Sequence, residues 1–380
     1  MHADDLLLIS VGGAAASVAR RVIRQTEVRA VILDTDDAVL GETDPNAHGG
    51  AVKIFGAKRL AGRGTGGDYR LGASAFRDDG AAMLADIGTP RLALVLTCLG
   101  GGTAGATEYL LRALREQGTV TVTFAIQPFA FEGDDRKRNA KLLRPMIESA
   151  TDAITTVNPA VLLDNADTLT ADEAFARVAD RLGDALSLFW TLLSHPSYFA
   201  FDAEHFHRML SVSHDNTALP FDFAAARISG EDRAESLLNT LTTAPAFCRD
   251  GSDRLSRATR LVIGILSGSD LRLSELNTLI TGLRIHCPSL KETFLGTSQE
   301  DRRNGELTAV LLAFGSNPGD EDEDIPSGTE AIRTGRRGHR TSPSRLASGN
   351  NRFGDVEPTL WHGENLDDPT YQRRGIRLSR

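Results

Sequence analysis

Cysteine is scarce. The chain has 3 in 380 residues, Cys98, Cys248 and Cys287, odd in number and widely separated. That excludes a disulfide framework and leaves no zinc-ligand spacing, so a reducing cytoplasm is the expected compartment. Basic residues are outnumbered, 42 against 51 acids for a net charge of −9, which argues against sequence-independent nucleic-acid binding by the body. No apolar run approaches the ~20 residues that span a bilayer. The opening residues Met1, His2, Ala3, Asp4 and Asp5 lack the basic-then-apolar pattern of a secretory leader. No Gly-Lys-Ser/Thr closes any glycine loop, which excludes a Walker-type phosphate loop, and the turn after the first apolar run forms no G-x-G-x-x-G.

What is present is enough chain for two ordinary domains and a tail, with 41% hydrophobic and 24% charged residues. It is organised around residues 94–107, where an apolar run ending at Leu99 meets Gly100, Gly101, Gly102, Thr103, Ala104 and Gly105. The pattern predicts a buried strand, a glycine turn and a helix opening toward Tyr109. Glycines taking positive φ would present successive N–H groups to one object, and the helix N-terminus behind them suits a phosphate. Thr103 adds a hydroxyl. An ordinary tight turn would carry the same letters.

The same pattern opens the chain. Leu6–Val11 reads as a buried strand, Gly12 and Gly13 as its turn, and residues 14–23, including Ser17, as an amphipathic helix. A second strand, residues 30–33, ends at Asp34, Thr35, Asp36 and Asp37, where acids also serve as plain caps. Residues 61–68, with Gly62, Arg63, Gly64, Gly66 and Gly67, form a loop that either a ligand orders or solvent surrounds. Val120–Ile126 predicts another strand, running into residues 127–133. Residues 151–158 predict a strand ending in Asn158, whose amide suits a purine edge or caps a turn. Residues 171–190 place Ala174, Phe175, Val178, Leu182, Leu186 and Phe189 at helical spacing, a long buried helix that also carries Asp180.

Taken in order, these motifs resemble the tubulin/FtsZ superfamily. The stretch from Gly100 resembles the family's GGGTGTG loop, with Ala104, Gly105 and Ala106 in place of its last Gly, Thr and Gly. Gly12, Gly13 and Ser17 correspond to its first glycine run, and Asp34 replaces the Asn of its NTDAQAL segment. Gly64, Gly66 and Gly67 match its γ-phosphate-sensing loop, to which Arg63 adds charge. Residues 128–133 resemble PFSFEG, which implies Glu132 against a ribose and Arg136 against a base, although Asp134 and Asp135 follow where basic residues are usual. Asn158 and Asp180 fall where the family reads guanine. Residues 195–206 resemble RPGLINVDFADV, whose two acids enter the nucleotide site of the next subunit. Asp202 matches the first acid, His205 replaces the second, and Ala200 replaces the Asn. Residues 229–234 read SGEDRA, letter for letter.

The resemblance implies an α/β fold. A doubly wound, mostly parallel nucleotide-binding domain (1–170) is joined by a central helix (171–195) to a smaller α+β domain (196–314), which includes the catalytic loop. Beyond it, the Asp/Glu and Arg runs among Gly, Ser and Pro predict a disordered linker over 315–364. Residues 365–374 resemble the family's terminal LD-x-PTFLRR peptide, followed by a basic tip to 380. The function implied is a GTP-binding filament protein of the bacterial division ring, hydrolysing GTP between subunits with Asp202 and His205. GTP or GDP and Mg²⁺ would be its ligands. Its partners would be further copies of itself, head to tail, and a membrane-anchoring adaptor on residues 365–374, at the cytoplasmic division site. A non-hydrolysing scaffold paralogue is the alternative, and a nicotinamide-dependent dehydrogenase a weaker one.

Overall fold

The computed structural model describes residues 5–38, 50–163, 168–194, 203–211, 218–249, 252–315, 360–361 and 364–365. In chain order the elements are β1 (Leu6–Val11), α1 (Gly13–Gln25), β2 (Ala30–Asp34), β3 (Gly50–Ile54), α2 (Ala57–Leu60), α3 (Tyr69–Ile87), β4 (Leu92–Cys98), α4 (Thr107–Glu116), β5 (Val120–Ile126), α5 (Asp134–Glu148) and β6 (Ala153–Val157). There follow α6 (Ala171–Ser194), α7 (Ala203–Ser211), β7 (Leu219–Ser229), α8 (Arg233–Thr242), β8 (Cys248–Arg249), β9 (Ser252–Asp253), β10 (Arg260–Ser267), α9 (Leu273–His286), β11 (Glu292–Gln299) and β12 (Glu306–Phe314).

β1 to β6 are parallel and lie in the order β3-β2-β1-β4-β5-β6. Their near-continuous apolar runs are what burial on both faces requires. Along β1, Leu6 and Leu8 face one core with α1 and α6, while Leu7 and Ile9 face the other with α3, α4 and α5. The order reverses between β1 and β4, and the crevice beyond the carboxyl ends of strands at such a switch point is where open α/β sheets bind ligands.

The second half does not form a separate sheet. β7 pairs in parallel with β6 through Ala153–Leu219 and Ile154–Pro220. β12 and β10 continue antiparallel and β11 parallel, giving one ten-stranded sheet. α6 packs across both halves: its Leu182, Leu186, Phe189 and Leu193 share a core with β1 on one side and with Val262 and Leu312 on the other. α8 and α9 cover the opposite face of β10 with Leu237, Leu241, Leu279 and Leu283. The central helix and the mixed second half therefore stand as the sequence implied, with a shared sheet added.

Residues 324–380 form a second unit, in which Leu360–Trp361 pairs antiparallel with Glu364–Asn365. Three of its four residues, Leu360, Trp361 and Glu364, lie in the stretch expected to be linker. The rest of the linker and residues 366–380 lie outside the described residues.

Candidate functional site

A cleft of about 960 Å³ lies over the carboxyl ends of β1, β2, β4 and β5. Its floor at β1 is Gly12, whose φ of 91° and ψ of 159° favour glycine. Helix α1 begins at Gly13 with no side-chain cap on its first N–H groups, so the positive end of the helix opens into the cleft. Ser17 lines it one turn later, donating its hydroxyl back to the Gly13 carbonyl at 3.4 Å.

The loop after α2 is built on positive φ. Gly64, Gly66 and Gly67 stand at 68°, 58° and 88°, and all three line the cleft. The loop is tied to the end of β2, since Gly64 N donates to Thr35 O at 3.1 Å and Asp37 N to Gly62 O at 2.9 Å. Asp68 then caps α3, accepting from Arg70 N at 2.8 Å.

The glycine turn after β4 corrects an expectation. Gly100, Gly101, Gly102 and Gly105 are absent from the positive-φ positions, and Gly102 sits at φ −71°, ψ −35°, ordinary right-handed backbone. Glycine is required there for close approach. A Cβ on Gly102 would lie 2.2 Å from Thr65 Oγ1 and 2.8 Å from Asp68 N, and one on Gly105 would lie 1.9 Å from the Tyr69 carbonyl oxygen. The start of α3 is pressed into the turn, which takes up Gly105 in packing. Gly100, Gly101, Gly102, Thr103 and Ala104 line the cleft, and Gly105 does not.

Three connections hold these loops together, and none was identified from the sequence. Asn139 on α5 donates to Gly67 O at 2.8 Å and to Gly100 O at 3.2 Å. Thr103 Oγ1 lies 2.8 Å from Thr35 Oγ1 and donates to Asp34 Oδ1 at 3.3 Å. Asp34 also accepts from Thr35 N at 2.7 Å. Burial pushes the Asp34 carboxyl above its usual range, against those hydrogen bonds. Cys98, also on the cleft wall, is pushed up to about 12 by burial and stays a neutral thiol.

The far end of the cleft is aromatic and charged. Glu132 Oε1 accepts from Phe129 N at 2.7 Å, and Glu132 Oε2 pairs with Arg136 Nη1 at 3.2 Å. Phe129 stacks on Phe131 at 5.0 Å and meets Phe175 edge-on at 5.0 Å. Phe175, expected on the buried face of the central helix, is 40% exposed at this mouth. Asp180 lines the same wall, 3.5 Å from Arg21 Nη1.

Two other sequence candidates stand apart from this cleft. Asn158 Oδ1 accepts from Ala160 N at 3.0 Å, capping the turn at Pro159–Leu162, and the residue lines a different cavity of about 1200 Å³ beside α6 and β7. His205 is exposed on α7, its ring 4.8 Å from that of Phe294. Neighbouring Glu204 is held by a bidentate pair with Arg91, which keeps its carboxyl below the usual range. Asp202 lies outside the described residues.

Residues 7–167 match the family model described as "Tubulin/FtsZ family, GTPase domain". The FtsZ of Helicobacter pylori is 25% identical over 196 residues, covering 50% of this chain and 50% of that protein. The FtsZ of Wigglesworthia glossinidia brevipalpis is 23% identical over 361 residues, covering 92% and 90%. Among solved structures, an empty FtsZ dimer from M. jannaschii superposes with a TM-score of 0.70 at 19% identity, covering 82% of this chain and 88% of that one. CetZ2 from Haloferax volcanii, a GTPγS-bound protofilament, gives 0.67 at 19% identity, over 84% and 95%. Family model, relatives and fold agree on a tubulin/FtsZ-type GTPase domain over residues 7–167, at low identity.

Proposed function

We propose that this chain binds GTP in the switch-point cleft, assembles head to tail, and hydrolyses GTP slowly where one subunit meets the next. The observation that carries the reading is the cleft itself. The open start of α1, the positive-φ loop at Gly64 to Gly67 and the turn at Gly100 to Thr103 converge on one space, with Phe129, Phe175, Glu132, Arg136 and Asp180 at its other end. Backbone donors suit phosphates, and the aromatic and charged end suits a nucleoside. Among the described residues no group of three or more acids, histidines or cysteines could hold a metal alone. Mg²⁺, which keeps several waters and binds through one or two carboxylates plus phosphates, fits Asp34 and Asp36 on the cleft wall. When bound it would neutralise phosphate charge.

The catalytic step draws on residues at the opposite end of the neighbouring subunit, with Asp202 orienting the attacking water. Two observations favour slow turnover. His205 replaces a carboxylate and packs against Phe294 of its own subunit, and Glu204, the nearest acid, is occupied by Arg91. A scaffold that assembles without hydrolysis is the limit of this trend. The division-ring role, and an adaptor bound through residues 365–374, extend the same reading; no described helix is long and apolar enough to cross a membrane.

Phosphate release tests the catalytic part. Specific activity is expected to rise steeply with protein concentration, because each site is completed by a neighbour. Asp202→Ala is expected to lower it by about 10²-fold while leaving GTP binding and sedimentation in place. Hydrolysis by Asp202→Ala at the parent rate removes this loop from the chemistry.

A further inference from the structure

Two loops that line the cleft meet at a side chain that does not, Asn139. It lies in the second turn of α5, and the helix fixes where it points. Leu143 and Ile147, four and eight residues on along the same face, are buried in the core shared with α3 and α4. Asn139 is half-buried at the end of that face. Its amide carries two N–H groups and uses both, donating to Gly67 O at 2.8 Å and to Gly100 O at 3.2 Å.

The two carbonyls are held very differently. Gly100 is packed: a Cβ there would lie 3.1 Å from the Cβ atoms of both Pro128 and Arg136. Gly67 is exposed at φ 88°, and a Cβ on Gly66 or Gly67 would meet nothing within 4 Å. The root of the loop is fixed, with Gly64 N donating to Thr35 O and Asp68 N to Thr65 O, each at 3.1 Å. Its tip is two glycines on an open flank, where the backbone has most freedom to lose. Asn139 reaches this tip from a helix seated in the core. It sets the spacing of the two loops without lining the space between them.

We infer that Asn139 is a positioning residue of the nucleotide site, holding the Gly67 loop at its binding distance from the Gly100 turn before any ligand arrives. The inference rests on the nucleotide-binding reading above and adds the residue that preorganises its cradle. Apparent affinity scales with the fraction of molecules already in the competent arrangement. Without the amide the tip samples other conformations, and a nucleotide that uses both loops binds more weakly by that fraction. An Asp at this position has the same size but turns oxygens toward two carbonyl oxygens, so it pushes the loops apart.

The test combines calorimetry and trypsin digestion of the full chain and its Asn139→Ala and Asn139→Asp variants. Arg138→Ala, an exposed neighbour paired with Asp135 on its own helix, is the control. Asn139→Ala is expected to weaken GDP and GTPγS alike by roughly 5- to 20-fold, the worth of two hydrogen bonds, and Asn139→Asp by more. Trypsin reports the loop directly, because Arg63 is exposed within it. The fragment beginning at Gly64 is expected several-fold faster from the ligand-free variants than from the ligand-free parent, and at the parent rate under saturating GTPγS. The control is expected to match the parent in both measurements. Parent-like affinity in both variants overturns the inference, as does weakened affinity with unchanged cutting after Arg63. Faster cutting throughout the chain marks general loosening and overturns it too. A parent that binds neither nucleotide contradicts the reading beneath, while the ligand-free digests still decide whether Asn139 holds the loop.

Discussion

Gly105→Ala is expected to destabilise the body by about 3 kcal/mol, an overpacking cost at the upper end of the usual range. The new methyl would sit 1.9 Å from the carbonyl oxygen and 2.7 Å from the carbonyl carbon of Tyr69, which is backbone at the first turn of α3 and cannot swing aside. Either α3 shifts or the turn after β4 opens. Both outcomes displace Gly102, whose own carbonyl lies 2.2 Å from where a Cβ on Gly72 would be. Thermal melts should show the loss, and nucleotide affinity should fall with it. Gly101→Ala is the control. Its Cβ would meet only Cys98 O at 3.5 Å, ordinary contact, and φ is not in the left-handed region. It is expected to change stability by less than about 1 kcal/mol. Equal melts for the two variants would refute the packing account of this turn.

Arg233→Met is expected to cost the second half about 3–5 kcal/mol, lowering its denaturation midpoint by about 10 °C. Arg233 is 4% exposed, and its guanidinium bonds α9, the turn before it and, at 3.5 Å, the Glu306 carbonyl at the start of β12. Nε and Nη2 grip the two Glu275 oxygens at 2.6 and 2.9 Å, and Nη1 reaches Asp270 Oδ2 at 2.8 Å. The Arg233 guanidinium holds the Glu275 carboxyl below its usual range. Removing the cation leaves the half-buried Glu275 carboxylate and Asp270 without their shared partner, which costs more than the pair contributed. The double change Arg233→Met with Glu275→Met is expected to recover most of the loss. With the carboxyl depressed in the folded state, the stabilisation is present at neutral pH and is lost as pH falls below the carboxylate's unfolded-state value. A single variant that melts with the parent would make the network dispensable.

Strands were the most legible part of this chain. Mostly apolar runs marked β1 and β5 to the residue, because a strand buried on both faces tolerates few polar positions, here Ser10, Thr121 and Thr123. The ten-stranded sheet was not legible, since the β6–β7 pairing joins residues separated by α6 and α7. Positive φ was expected at the Gly100 turn and is found instead in the loop after α2. Gly64, Gly66 and Gly67 use positive φ, whereas Gly102 and Gly105 are constrained by Thr65 and Tyr69, contacts formed only in three dimensions. Gly100, Gly102 and Gly105 also satisfy G-x-G-x-x-G letter by letter, so spacing there does not separate a dinucleotide site from this one. Asn139 carries no local signal, because its partners Gly67 and Gly100 lie on distant loops. Asn158 illustrates the converse: a matching letter whose side-chain oxygen is engaged by its own turn.

Guanine selectivity tests the central claim most directly. Asp180 lines the cleft beside Phe175, and in the proposed reading its carboxylate would accept from the two donors that guanine has and adenine lacks as a pair. Titration of the purified chain with GDP and with ADP is expected to give at least about tenfold tighter binding of GDP, the discrimination one bidentate hydrogen-bonded pair commonly supplies. Asp180→Ala should narrow that ratio without moving the melt. Equal affinities for GDP and ADP, or binding of neither, would contradict the account.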